Sequence, residues 1–138
     1  GGPPAGAAAA VRALRPEARI IGVEPTGANA MAQSVTRGEP VRLASTSTIA
    51  DGLAAPFAGT HPLAHVQALV DGIIEIEDAE IVAGMRALME RCKILPEPAG
   101  AAATGALLAG RIPAVTGERV VCIVSGGNVD LQRLAGLL

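Results

Sequence analysis

The stretch "VVCIVSGGNVDLQRL", residues 120–134, decides the fold of this chain. Residues 120–124 form a short apolar run, which predicts a strand covered on both faces. The two glycines of Ser-Gly-Gly-Asn allow a sharp turn or a close backbone approach. Asn128 or Asp130 is expected to cap the helix that follows. Ligands of open α/β sheets bind at the carboxyl ends of parallel strands, so Ser125 is a candidate ligand-binding hydroxyl.

The composition limits the function classes. With 138 residues, 50% of them hydrophobic and Phe57 the single aromatic residue, one domain with an aliphatic core is expected. A net charge of −2 gives no basic surface, so nucleic-acid binding is excluded. Cys92 and Cys122 have neither disulfide-framework nor zinc-site spacing, which favours a reducing cytoplasm. No run of residues is typical of a membrane span or a signal peptide, so a cytoplasmic protein without a membrane partner is expected.

Strands alternate with helices along the chain. This pattern predicts an α/β fold, with a parallel sheet and helices packed on its faces. Helices are predicted at residues 5–14, 28–36, 61–69, 77–93 and 98–109, strands at 18–23, 72–76 and 120–124, and a turn-rich loop at 37–53.

Two of these helices carry clear signals. The helix at 77–93 has acidic residues in its first turn and basic residues in its last, and it places Ile81, Met85, Leu88 and Cys92 on one face. Gly110 is the predicted C′ residue of the helix at 98–109.

The chain begins with "GGPPAGAAAA", a glycine pair that leads directly into a helix. Glycines before a helix N-terminus commonly bind phosphate through backbone N–H groups. Such a loop normally follows a strand, and none precedes it here. We therefore expect this chain to be part of a longer protein.

Five motifs in order resemble one family: "GGPPAGAAAAVRAL", "IIGVEP", "STIADGLA", "MERCKILPEPAGAAATGALL" and "VVCIVSGGNVD". Together they cover nearly the whole chain. They are similar to the fold-type II pyridoxal-phosphate (PLP) enzymes, whose fold is tryptophan synthase β-like, and most similar to the threonine ammonia-lyase (threonine dehydratase) and serine racemase branch.

The resemblance implies that residues 1–138 are the C-terminal part of the PLP-dependent catalytic domain, in its larger half. The Schiff-base lysine would lie upstream, so the chain contains no catalytic residue and is expected to be inactive alone. The implied reaction is β-elimination of L-threonine to 2-oxobutanoate and ammonia, or the corresponding reaction of L-serine. It would belong to isoleucine biosynthesis and be carried out by a homo-oligomer.

Two alternatives remain open. One is a serine racemase, or another β-eliminating or β-replacing enzyme of the same fold. The other is a non-catalytic α/β domain that binds a phosphate ligand. The product, D-serine or a 2-oxo acid, would separate a racemase from a lyase. The absence of a visible Schiff-base band would favour the phosphate-binding domain.

The resemblance assigns cofactor contacts at both ends of the chain. Ser125, otherwise an ordinary turn serine, would donate a hydrogen bond to the pyridine nitrogen. A neutral hydroxyl there leaves the nitrogen unprotonated and the ring a milder electron sink. Gly1 and Gly2 would be the last glycines of the phosphate loop, although Pro3 and Pro4 lack N–H groups and weaken this donor set.

Two further residues are assigned to the same cofactor. Gly52, in "TIADG", is either a loop turn or a place where the backbone passes close to the cofactor. Glu97, in "LPEPAGA", is either a helix-cap carboxylate between prolines or a residue beside the cofactor ring.

A cation site is the last implied feature. In metal-activated relatives the residue at the position of Glu24, the backbone carbonyl at Ala28 and an acidic residue at the position of Ala30 bind Mg²⁺ or Ca²⁺. Alanine at position 30 cannot be a ligand, and hard cations need several oxygens. A divalent site is therefore disfavoured, while a monovalent cation stays open.

Three other polar residues have simpler interpretations. His61 and His65 lack a third ligand, so a solvated helix start is favoured over a zinc site. Lys93 is the single lysine. Its place at the charged end of an amphipathic helix favours a solvated side chain over a Schiff-base lysine, which needs a desolvated site.

Overall fold

The computed structural model describes residues 1–113 and 116–138. Its helices and strands, in chain order, are α1 (Gly2–Leu14), β1 (Ile21–Pro25), α2 (Ala30–Arg37), α3 (Thr60–Leu69), β2 (Gly72–Ile76), α4 (Asp78–Ala87), α5 (Pro98–Leu108) and α6 (Leu131–Leu137). Short 3₁₀ turns lie at Thr26–Ala28 and Asp51–Leu53.

The sheet is a parallel pair of strands, as the alternating pattern predicts. Ile21 of β1 is opposite Gly72 of β2, and Pro25 is opposite Ile76. The helices α2 and α3 make the connection between the two strands, as parallel pairing requires. Strand β2 has the predicted bounds, whereas β1 begins at Ile21 instead of residue 18.

The predicted helix at 77–93 has two parts. Glu77 and Glu80 form a capping box that starts α4, and a π-helical turn, Leu88–Cys92, follows its end. The prediction that Cys92 shares the buried face of Ile81 and Met85 is wrong, because Cys92 is exposed. A π-helical turn has more residues than an α-helical turn, so it rotates Cys92 away from that face.

Helix α5 packs closely on α4 through small residues. A Cβ atom at Gly84 would lie 2.6 Å from the Gly105 nitrogen and 2.7 Å from the Ala101 carbonyl oxygen. Gly110 has φ of 68° and is the predicted C′ residue. Its N–H donates to Leu107 and that of Arg111 to Ala106, which is a Schellman motif.

The strand predicted at 120–124 is not found. The residues from Glu118 to Asp130 are in neither a helix nor a strand, and Val121 is 86% exposed. A strand needs a hydrogen-bonded neighbour, and in the described part of the chain β1 and β2 pair only with each other. The predicted cap is found: the Asp130 carboxylate accepts from the N–H groups of Gln132 and Arg133 and starts α6.

The buried residues form two clusters. The larger joins β2, α4, α5 and α6 and contains Ile76, Ile81, Met85, Ala101 and Leu134. The smaller joins α1, α2 and α3 and contains Ala5, Met31, Leu63 and Val66. None of the helices in residues 1–113 and 116–138 has the length and hydropathy that a membrane crossing needs.

Candidate cofactor-binding site

A cavity of about 190 Å³ lies where five segments of the chain meet. These segments are the start of α1, strand β1, the start of α2, the loop before α3 and the start of α5, and Ile73 of β2 also contributes. Ser125 completes the wall. The lining includes the predicted residues Gly1, Gly52, Glu97 and Ser125, together with Glu24, while its apolar part includes Val23, Leu53, Ala99 and Ile73.

The first turn of α1 contributes Gly1, Pro3 and Pro4 to this cavity. Gly1 is the N-cap residue and Gly2 the first helical residue. The first N–H groups of a helix have no intrahelical partner and can bind an anion. Because prolines occupy the next two positions, Gly2 is the first-turn residue that keeps such a group. Gly2 itself is not among the lining residues.

Gly52 lies in the 3₁₀ turn Asp51–Leu53, against the start of α5. A Cβ atom at this position would lie 2.9 Å from the Cβ of Ala99 and 3.4 Å from Oε1 of Glu97. The distance to the Ala99 Cβ is shorter than an ordinary van der Waals contact. Glycine therefore lets the loop approach α5.

Two charged side chains hold the loop that contains Gly52. Asp78, at the start of α4, accepts hydrogen bonds from the Thr48 hydroxyl at 2.6 Å and from the Ile49 N–H at 3.0 Å. Arg133, on α6, donates to the Asp51 carboxylate and to the Ile49 carbonyl. The hydrogen bond from Arg133 holds the pKa of Asp51 below its usual value.

The Ser125 segment is held by its two glycines. A Cβ atom at Gly100 would lie 2.5 Å from the Gly126 carbonyl oxygen, and one at Gly127 would lie 2.7 Å from that of Leu95. The Gly126 carbonyl accepts from the Glu97 N–H at 3.0 Å. The sequence interpretation explained these glycines by a close approach to a ligand. In the structure, a Cβ atom at Gly127 would meet the backbone of Leu95, whereas one at Gly126 would meet the flexible end of the Glu97 side chain, so this packing by itself requires glycine at 127.

Glu97 is the N-cap residue of α5, but its side chain does not cap the helix. The carboxylate is half-buried and packs against Gly126, where a Cβ atom would lie 2.6 Å from its Cδ. Because the helix does not use this carboxylate, it forms part of the cavity wall.

Glu24 is bound by the helix that follows it. Its two carboxylate oxygens accept hydrogen bonds from the N–H groups of Met31 and Ala32, each at 2.9 Å. Burial raises the pKa of Glu24 above its usual value, while these two hydrogen bonds oppose the rise. Ala28 is fully buried beside it.

No cluster of three or more His, Cys, Asp or Glu side chains suited to a metal ion occurs within residues 1–113 and 116–138. The cation site at Glu24 and Ala28 stays a prediction.

The three polar side chains for which the sequence favours a solvated position, Lys93, His61 and His65, lie on the surface. Lys93 is exposed and donates to the Glu90 carbonyl at 2.8 Å. His61 and His65 are also exposed, and a ring nitrogen of His65 is 2.9 Å from the His61 carbonyl oxygen. None of the three lines the cavity.

A second cavity, of about 440 Å³, lies beside the first and shares Gly52, Glu97 and Ala99 with it. We call it the outer cavity. Asp51, Asn128, Asp130 and Arg133 are among its other lining residues.

The sequence did not indicate Arg133 or Asp78 as site residues, because their partners are remote in sequence: Arg133 is 82 residues from Asp51.

The α/β fold thus brings the start of α1, Ser125 and apolar residues together around one cavity. The family described as "Pyridoxal-phosphate dependent enzyme" matches residues 1–126. The chain belongs to this family. The expected fold class and PLP dependence are therefore confirmed.

Individual relatives are ammonia-lyases and racemases. A phenylserine dehydratase of Ralstonia pickettii is 39% identical over 135 residues, which are 98% of this chain and 41% of the relative. An L-threonine ammonia-lyase of Geobacter sulfurreducens is also 39% identical, over 98% of this chain and 33% of its own length. The structure of maize serine racemase has a TM-score of 0.87 and 40% identity, and the match covers 96% of this chain and 41% of that one. The chain thus spans about two fifths or less of these relatives.

The residues present fit PLP. The cofactor needs an anion site for its phosphate, a partner for its ring nitrogen and apolar contacts for the ring. Gly1 at the start of α1, Ser125 and the apolar walls line one cavity, while Gly2, which keeps the free first-turn N–H group, is adjacent to Gly1 and outside the lining.

Proposed function

We propose that this chain is part of a PLP-dependent ammonia-lyase that eliminates the β-hydroxyl of L-threonine or L-serine and releases a 2-oxo acid and ammonia. One observation carries the proposal: Gly1, Gly52, Glu97 and Ser125 are far apart in sequence yet line a single cavity. The relatives named as a threonine ammonia-lyase and a phenylserine dehydratase support this reaction class.

Each residue has a proposed role. Gly1 and Gly2 bind the phosphate through backbone N–H groups, Ser125 donates to the pyridine nitrogen, and Gly52 and Glu97 lie beside the ring. When bound, PLP supplies the electron sink for the electrons of the broken Cα–H bond. Because the Ser125 hydroxyl is neutral, it leaves the ring nitrogen unprotonated, which limits the sink and suits elimination.

We propose that residues outside this chain complete the cofactor site. Typical ligand pockets have volumes of about 300–1,000 Å³, so the cavity of about 190 Å³ is one wall of a larger site. We propose that residues 1–138 are the C-terminal part of the catalytic domain and that the Schiff-base lysine lies upstream. We further propose a cytoplasmic homo-oligomer in isoleucine biosynthesis.

The test compares two serine variants of the complete protein. Ser125→Ala removes the hydroxyl at the cavity, whereas Ser45→Ala removes a hydroxyl outside both cavities, and both serines are exposed in the structure. Loss of the proposed hydrogen bond to the pyridine nitrogen, at about 1–3 kcal/mol, corresponds to a decrease in kcat of about five- to 150-fold. We expect this decrease in 2-oxo acid formation for Ser125→Ala and none for Ser45→Ala.

The substrates and products decide between the alternatives. The assay uses L-threonine, L-serine and 3-phenylserine, and it measures both 2-oxo acid and D-serine. Formation of D-serine as the main product would favour the racemase, which the match to maize serine racemase supports. A protein without a visible cofactor band and without turnover would contradict the lyase and favour a phosphate-binding domain.

A further inference from the structure

The loop at residues 46–54, which we call the Gly52 loop, separates the two cavities. Gly52 lines both of them, while Asp51 lines the outer cavity alone. The loop has little regular structure beyond one 3₁₀ turn, in which the Leu53 and Ala54 N–H groups donate to Ala50 and Asp51. Its position therefore depends on contacts from other elements.

The Ser47 N–H of the Gly52 loop donates to the Gly27 carbonyl at 2.9 Å, and side chains hold the loop from two further sides. On one side Asp78 binds Thr48 and Ile49 from the start of α4. On the other side the Arg133 guanidinium donates to the Asp51 carboxylate through Nη1 and to the Ile49 carbonyl through Nη2, the latter at 2.9 Å. A planar guanidinium presents its donors in a fixed geometry that suits two such contacts, whereas the donors of a lysine ammonium rotate freely.

Arg133 is itself well positioned. Its backbone N–H donates to the Asp130 carboxylate at 2.9 Å in the cap of α6. The next residue, Leu134, is 6% exposed and belongs to the larger hydrophobic cluster. The helix is therefore anchored on both sides of Arg133, so the guanidinium extends from a fixed support to the loop.

We propose that Arg133 is a positioning residue for the cofactor site: it fixes the Gly52 loop as the wall between the two cavities and thereby sets the affinity for PLP. The inference rests on the proposed function. It assigns a role to a residue outside the segment that matches the family, residues 1–126.

The alternative is that Arg133 and Asp51 form only an ordinary surface ion pair. Such exposed pairs contribute little to stability, so this pair would then have no effect on the loop or on PLP binding. The chain offers a matched control for it. Arg111 and Glu80 form an ion pair with 2.7 Å between Nε and Oε1; the Arg111 side chain is 50% exposed against 44% for Arg133, while Glu80 is 17% exposed against 69% for Asp51. Neither Arg111 nor Glu80 lines either cavity.

The experiment uses the complete protein as wild type, Arg133→Ala, Arg133→Lys, Asp51→Asn and Arg111→Ala. Hydrogen–deuterium exchange of residues 50–54 is measured without cofactor, and the dissociation constant of PLP is measured by titration. For Arg133→Ala we expect exchange to be about tenfold faster in this loop and the PLP dissociation constant to rise about three- to tenfold. Arg133→Lys and Asp51→Asn should lie between this variant and wild type, and Arg111→Ala should match wild type in both measurements.

The outcomes separate the inference from the function. If wild type binds PLP and Arg133→Ala matches Arg111→Ala in loop exchange and PLP affinity, the positioning role is overturned and the proposed function stands. A wild-type protein that does not bind PLP would overturn both.

Discussion

Replacing Gly100 by alanine should weaken both the fold and the cofactor site. Gly100 lies in the first turn of α5, and a Cβ atom there would be 2.5 Å from the Gly126 carbonyl oxygen and 3.1 Å from the Gly126 nitrogen. Both atoms are backbone, so no side-chain rotation can relieve the contact. The segment that contains Ser125 must move away from α5.

The magnitude follows from three contributions. Overpacking costs about 1–3 kcal/mol, and loss of the hydrogen bond from the Glu97 N–H to Gly126 costs about 1 kcal/mol. Alanine instead of glycine inside a helix returns about 1 kcal/mol. The sum is a loss of about 1–3 kcal/mol in the free energy of unfolding.

The assay is urea unfolding of the complete protein, together with PLP titration. Gly6→Ala is the matched control, because a Cβ atom at this position of α1 meets no atom of residues 1–113 and 116–138 within 4 Å. It should stabilise the protein by about 0.5–1 kcal/mol and leave PLP binding unchanged. If Gly100→Ala were as stable as Gly6→Ala and bound PLP like wild type, the packing of Gly126 on α5 would not position Ser125.

Two pH series give the remaining predictions. Burial raises the pKa of Glu24, so its ionised form opposes folding, and stability should decline as the pH rises above the ordinary value of 4.5. Glu24→Gln should remove this decline in urea unfolding, and an unchanged decline would contradict the effect of burial. Hydrogen bonds from the Ile20 N–H and then from Arg12 lower the pKa of Asp71, so its stabilisation is present above the ordinary value of 3.8 and is lost as the pH falls through the lowered value. Asp71→Asn should flatten the acid side of the same series, and an acid side as steep as in wild type would contradict this assignment.

Much of the fold could be predicted because its signals are local. Acidic residues at the start of α4, Gly110 after α5 and Asp130 before α6 each satisfy backbone groups within a few residues. Such signals depend on short-range chemistry that the sequence displays directly. The π-helical turn at Leu88–Cys92 has no comparable signal, so the exposure of Cys92 was predicted wrongly.

The candidate site was predictable only in part. The motifs indicated Gly1, Gly52, Glu97 and Ser125, and the structure brings these residues together around one cavity. The contacts of Arg133 with Asp51 and of Asp78 with Thr48 join distant segments. No periodicity or spacing in a single sequence specifies such pairs, because they result from how α4 and α6 pack.

The segment before Ser125 has the burial pattern of a strand but not the hydrogen bonds of one. Val121 and Ile123 are exposed, whereas Cys122 and Val124 are half-buried, and Val124 packs on the larger hydrophobic cluster. The alternation is that of a strand. The sequence predicts a strand covered on both faces, but alternate residues are exposed, and a strand also needs a hydrogen-bonded partner. Here the Gly126 carbonyl binds the Glu97 N–H. The position of Ser125 therefore depends on the packing of Gly126 against Gly100 of α5, so a substitution at Gly100 perturbs the site without changing a residue that lines it.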